Sequence, residues 1–226
     1  MTWKRAIVLG ASGGIGGALV DALGAAGTQV IALARPQIDL TDEATLARAA
    51  SEIGEGGPVD LIFVASGILA PPGGGPEKSL REVDSAAMAE VFAVNATGPL
   101  LAAKHFVPLL PRAGRSAFVV LGARVGSISD NRLGGWYAYR AAKAALAMNV
   151  KTLSVELART HPDSVCVALH PGTVETRLSA PFVRSVPGDR LFTPEESAGH
   201  LLTVLRDLRP LDSGGHFAWD GTRIEP

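Results

Sequence analysis

Short apolar runs rich in β-branched residues alternate with longer alanine-rich stretches of helical period along the whole chain. That alternation limits the possible folds more than any other feature. RAIVLG (5–10), TQVIALA (28–34), PVDLIFVAS (58–66), RSAFVVLGA (115–123), SVCVALH (164–170) and HFAWDG (216–221) read as strands. Near-continuous apolar runs of this kind belong to parallel strands covered on both faces. Helical patterns fill the intervals. Those at 14–26 and 41–53 stop at Gly27 and Gly54, read as residues just past a helix end. Two long ones cover 84–110 and 136–160. The last, 194–208, opens with Thr193 as cap, Pro194 in the first turn and Glu196 completing a capping box. The pattern predicts an α/β fold, a doubly wound parallel sheet with helices on both faces. Only RPQ separates the second strand from IDL (38–40). A parallel crossover needs about a dozen residues, so a strand at 38–40 is at most vestigial and about six to seven strands are expected. No linker or repeat divides the chain, and residues 1–226 are expected to form a single domain.

Charge and composition narrow the partners. Acidic and basic residues nearly cancel, 22 against 21, which argues against nucleic acid or an anionic membrane. The apolar residues are dispersed, and no stretch is read as reaching the ~20 residues of a membrane span. The single cysteine, Cys166, cannot form an internal disulfide; it lies in a strand-like run and is expected to pack. Glycines interrupt the first apolar run too early for a signal-peptide core, so a cytoplasmic location is expected. His105, His161, His200 and His216 are scattered without metal-ligand spacing, and solvated or locally bonded rings are expected.

Two stretches carry candidate chemistry. GASGGIGGAL (10–19) follows the first strand and opens the first helix. Its glycines at 10, 14 and 16 allow a sharp turn that brings backbone up to a pyrophosphate at the helix N-terminus; a turn without ligand is the other reading. WYAYRAAK (136–143) holds both tyrosines of the chain. Tyr139 stands four residues before Lys143, so the two share a helix face, whereas Tyr137 has Ala141 at that offset. A phenol with a pKa of about 10 exchanges protons poorly at neutral pH, and a nearby ammonium favours its ionised form. The pair reads as proton-transfer machinery or as an ordinary helix surface.

The glycine motif, DL at 39–40, VNATG at 94–98, Tyr139-x-x-x-Lys143 and HPGTVET at 170–176 come in one fixed order. Together they resemble the short-chain dehydrogenase/reductase family over nearly the whole length. GSISDNRLGGWYAYRAAKAAL and DSGGHFAWDG are similar to a subgroup with sniffer-type carbonyl reductases and C-factor-like proteins. The resemblance implies a Rossmann-like fold and an NADP-dependent oxidoreductase acting on a small-molecule carbonyl or alcohol. It makes Tyr139 the acid or base and Lys143 the residue that lowers its pKa and holds the nicotinamide ribose. Asn95 would kink its helix and support a water-linked proton path. Gly10, Ser12, Gly14, Ile15 and Gly16 would meet the dinucleotide, with Asp39 and Leu40 framing the adenine; Asp39 reads equally as a capping acid. Pro171, Gly172, Thr173 and Val174 would meet the carboxamide. A homodimer or homotetramer built on helices 84–110 and 136–160 is implied too.

Departures from the family pattern matter. VASG (64–67) stands for the usual Asn-Asn-Ala-Gly, leaving Ala65 and Gly67 to pass beneath the ribose. Ala34 takes the place where NAD-preferring relatives often carry an acid. Arg35 follows and suits a 2′-phosphate, so NADP(H) is expected over NAD(H). After FVVL, where relatives commonly have Ser-Ser, stand Gly122 and Ala123. Ser127, twelve residues before Tyr139, either folds back to replace that serine or bonds its own backbone. The lost serine also leaves room for a second function, a dinucleotide-binding regulatory protein with weak or no turnover. The substrate lid is expected in 174–192.

Overall fold

A computed structural model describes residues 3–180, 182 and 191–226. Six parallel strands form the central sheet. They are β1 (Arg5–Leu9), β2 (Gln29–Leu33), β3 (Leu61–Val64), β4 (Ser116–Leu121), β5 (Ser164–His170) and β8 (His216–Ala218), in the order β2-β1-β3-β4-β5-β8. Two further strands, β6 (Thr173–Val174) and β7 (Leu191–Phe192), pair in parallel beyond the sheet. The strand order reverses at β1, between β2 and β3. In such sheets ligands bind at that crevice, outside the strand C-termini.

Alternation along each strand divides two cores. Ile7, Leu9, Ile62, Val64, Phe118 and Val120 face one layer of helices. That layer holds α2 (Glu43–Gly54), α4 (Gly98–Phe106) and α5 (Tyr137–Thr160). Val8, Phe63, Val119 and Val167 face the other, made of α1 (Gly14–Ala25) and α6 (Pro194–Asp207). Both faces are therefore dry, as the unbroken apolar runs require. Cys166 is fully buried among them, and burial pushes its thiol up to about 12. The capping box on α6 forms as expected: the Thr193 hydroxyl accepts from the Glu196 N–H while the Glu196 carboxylate accepts from the Thr193 N–H.

Three expectations need correction. Gly54 is the last residue of α2, and the positive φ that follows falls on Gly57 (92°). Glu55 continues the right-handed turn, which postpones the reversal. The stretch 84–110 is a broken rod: α3 (Ser85–Phe92), a wider π-type turn at Ala93–Thr97, α4, and a tight turn at Val107–Leu109. By length and composition that rod, Ser85–Leu109, would suffice to cross a membrane, contrary to the reading above. Here it packs Ala102, Ala103 and Phe106 into the sheet, so its apolar composition is that of a core helix. Residues 38–40 form no strand beyond an isolated bridge, Asp39 to Asp42, in line with the short connection.

Candidate active site

The glycine turn is built around close backbone contact. Gly10 has φ 88°, and a Cβ there would lie 2.5 Å from Ser66 Oγ. A Cβ on Gly16 would lie 2.1 Å from the Gly10 carbonyl oxygen, so α1 could not approach the turn with any larger residue. The N–H groups of Gly10 and Ala11 bond to the Leu33 carbonyl, which docks the turn on the end of β2. Gly13 precedes α1 without a side-chain cap, and Ser12, Gly13 and Gly14 are exposed. The first N–H groups of α1 thus face open surface, as an anion site at a helix start needs. Ile15 packs against the core behind them. Across the crevice, Thr176 Cγ2 lies 3.0 Å from where a Gly14 Cβ would stand, so HPGTVET faces the turn.

At the end of β2, Arg35 is exposed beside the turn, close enough to help hold the Asp39 carboxyl below its ordinary range. The main cause of that shift is Thr41, whose hydroxyl (2.7 Å) and N–H (2.8 Å) both donate to Asp39 Oδ1. Asp42, and not Asp39, caps α2. The Leu40 side chain is buried against Gly98. Ala65 continues from β3, its N–H bonded to the Leu9 carbonyl, and brings Gly67 to the back of the crevice.

There the structure joins three of the expected residues. Asn95 is fully buried in the π-type turn; its Nδ2 donates to the Ile68 carbonyl at 2.7 Å and its Oδ1 accepts from the Ile68 N–H at 2.9 Å. A Cβ on Gly67 would lie 3.1 Å from Asn95 Oδ1 and 3.8 Å from Lys143 Nζ, so the missing side chain leaves room where both groups meet. Lys143 Nζ donates to the Leu121 carbonyl at 2.7 Å and lies 5.7 Å from the centre of the Tyr139 ring. Burial pulls the ammonium down to about 8 and pushes the phenol up to about 12. This reverses the expected direction for Tyr139, because desolvation of the phenolate outweighs the charge of an ammonium directed at Leu121. Pro171 and Gly172 lie past β5, where Ser197 Oγ donates to the Pro171 carbonyl at 2.9 Å. Gly172 has φ 78°, and a Cβ there would strike Phe192. Thr173 and Val174 form β6.

Among the described residues, no hydrogen bond joins Ser127 to the phenol. The Ser127 hydroxyl oxygen accepts the Asp130 N–H at 3.1 Å and lies 3.3 Å from Ser129 Oγ, so the loop serine serves its own backbone. Ala123 packs beside Tyr139 instead, within an apolar cluster with Leu69, Val125, Trp136 and Leu178. The lid expected in 174–192 falls partly on residues outside those described.

A sequence profile for short chain dehydrogenases matches residues 36–186. The chain belongs to the short-chain dehydrogenase family. C-signal of Myxococcus xanthus is 35% identical over 169 residues, covering 74% of this chain and 93% of that protein. The NADPH-bound carbonyl reductase from chicken fatty liver superposes with a TM-score of 0.87 at 27% identity, covering all of both chains. The carbonyl reductase Sniffer of D. melanogaster superposes at 0.81 and 24% identity, over the same full coverage, and speaks for the fold alone. The family is one of oxidoreductases, and the expected subgroup has both its anchors among these relatives.

One pair of residues in this short-chain dehydrogenase escaped the sequence reading. His170 closes β5 and His216 opens β8, and among the described residues His216 Nε2 is buried without a hydrogen-bond partner. A Cβ on Gly122 would stand 2.5 Å from that nitrogen, so the glycine makes room for the imidazole. Burial first, then His216, Arg124 and Lys143, pull His170 down to about 3; burial, Lys143 and Arg124 pull His216 down to about 4. No signal in a lone histidine on a three-residue strand could have shown this. His105 bonds Glu43 and His161 bonds Thr160, closer to the expected pattern.

Proposed function

We propose that the chain is an NADP-dependent oxidoreductase that reduces a small or medium carbonyl compound, or oxidises the alcohol, with Tyr139 as acid or base. The observation that carries this reading is the meeting of Tyr139, Lys143 and Asn95 at the back of the crevice that opens on the glycine turn. Gly10, Ser12, Gly14, Ile15 and Gly16 would hold the pyrophosphate, whose charge suits the uncapped start of α1. The fit is supported by Gly10 and Gly16, where any side chain would intrude, and by the tight space at Gly14. Arg35 would pair with a 2′-phosphate, Ala65 and Gly67 would lie under the adenosine ribose, and Leu40 and Asp39 would border the adenine through their backbone. Pro171 to Val174 would meet the carboxamide.

When bound, the dinucleotide supplies a hydride to the carbonyl carbon. The chain's part is the proton. Tyr139 stays protonated at neutral pH and gives its hydroxyl proton to the carbonyl oxygen as charge develops there. The Lys143 ammonium would hold the ribose and favour the phenolate left behind; Asn95 keeps the adjoining backbone in place for water-linked return of a proton. Ala123 beside the phenol leaves the family's usual second donor missing from its place. Losing a second donor typically lowers turnover about 10²–10³-fold, so modest rates are expected.

Tyr139→Phe tests the assignment. Turnover should vanish while nucleotide binding persists, and Tyr137→Phe should be mild. Equal damage from both changes would defeat it. Ala123 also favours a second reading, a dinucleotide-binding regulatory protein. NADPH titration beside a carbonyl screen separates them, since binding without turnover on any carbonyl supports the second. We further propose a homodimer or homotetramer through α3–α4 and α5, where Leu100, Met148 and Val155 are exposed. A monomeric mass at micromolar concentration would refute it. A cytoplasmic location remains part of this proposal.

A further inference from the structure

α5 carries both Tyr139 and Lys143, yet nothing at its own start caps it. Gly134, Gly135 and Trp136 are consecutively left-handed, with φ of 64°, 63° and 53°, and Trp136 makes no side-chain cap. Trp136 is the one non-glycine residue with positive φ among those described. A side chain is disfavoured in that conformation and persists there only where its surroundings hold it.

What holds it comes from a distant loop. The Glu77 carbonyl accepts the Trp136 N–H at 2.5 Å, and Glu77 Oε2 accepts the Ala138 N–H at 3.3 Å, across 61 positions of sequence. Glu77 is 8% exposed and forms no ion pair among the described residues. A carboxylate without a cation is costly to bury, and the positive end of a helix is what offsets the cost. Gly135 permits the approach, since a Cβ there would already be 3.2 Å from the Glu77 carbonyl oxygen. The two residues so tied lie just ahead of the reacting group. Ala138 immediately precedes Tyr139, and the Trp136 indole stands edge-on to its ring at 6.2 Å and 74°.

We propose that Glu77 is a positioning residue for the reaction. By bonding Trp136 and Ala138 from the 70–79 loop, it fixes the first turn of α5. That sets both the place of the Tyr139 phenol and the indole wall beside it. The kinetic half of this proposal rests on the carbonyl-reductase reading; the structural half does not.

Glu77→Ala and Glu77→Gln test it, because a carboxamide oxygen still accepts the Ala138 N–H. Glu77→Ala should lower kcat about tenfold, because a displaced phenol loses its alignment with the reacting group, while KM for NADPH stays within about twofold. Glu77→Gln should recover most of that kcat. In parallel, hydrogen exchange at the Ala138 amide should speed up about tenfold in Glu77→Ala and little in Glu77→Gln. Unchanged kcat with only a lower Tm, unchanged exchange, or a glutamine variant no better than alanine would each overturn the proposal. If the unaltered protein reduces no carbonyl while exchange still rises in Glu77→Ala, the carbonyl reading fails and the tie to α5 stands.

Discussion

Mild acid should destabilise this protein through its histidines. His170 and His216 titrate at about 3 and about 4 in the folded chain, against 6.5 for an ordinary imidazole. Groups with depressed basicity bind more protons when unfolded, so stability falls as pH drops below about 6.5. At pH 5 both rings are still neutral in the folded state. The loss is then set by the unfolded chain alone: about 1.5 pH units at 1.36 kcal/mol each, or about 2 kcal/mol per ring. His161, also lowered by burial, adds to the slope in the same window. A total of about 4 kcal/mol is a large part of the 5–15 kcal/mol that stabilises a typical domain. Urea denaturation at pH 7 and pH 5 measures it. His216→Gln should lose about 2 kcal/mol less between those pH values than the unaltered protein. A fall of under about 1 kcal/mol in the unaltered protein, or an equal fall in the variant, would refute the reasoning.

Other outcomes follow from the same geometry. If the Lys143 ammonium is needed to receive the dinucleotide, kcat/KM for NADPH should decline about tenfold per unit above pH 8, since this parameter reports the free protein; a flat profile to pH 9.5 would exclude that role. Arg35→Ala should weaken NADPH far more than NADH, and tighter NADH binding by the unaltered protein would sink the NADP assignment. Ser127→Ala should leave turnover within about threefold, whereas Ala123→Ser should raise it by as much as about 10²-fold. The reverse pattern would restore Ser127 as the missing donor. Gly122→Ser should be destabilising, because His216 fills that space, and wild-type stability in this variant would contradict the packing.

The strands were legible because a sheet dry on both faces demands unbroken apolar runs, and the capping box of α6 is a local signal in adjacent residues. The break in the long rod was not, because a wider turn leaves the apolar period nearly intact. Asn95 pointed to it only through the family pattern. At the site, Tyr139 and Lys143 were readable as neighbours on one helix. The direction of their pKa values was not, since burial is a tertiary property. Ser127 stayed open between two readings for a related reason: twelve residues allow a loop to fold back, but the Asp130 N–H is nearer. Glu77 lay in a loop far from both partners, Ala138 being 61 positions away, beyond any local pattern.

The paired bonds between Asn95 and Ile68 leave almost no freedom in the choice of side chain. One planar group must give a hydrogen to a carbonyl and take one from the N–H of the same residue. Aspartate takes but does not give when ionised, leucine does neither, and glutamine has the right head on a stem one methylene too long. With Asn95 fully buried, a side chain that fails either role leaves a peptide group without its partner, at about 1–3 kcal/mol apiece. Of the twenty amino acids, asparagine is the one whose side chain meets both demands at this reach, and it does so whether or not anything is ever bound in front of it.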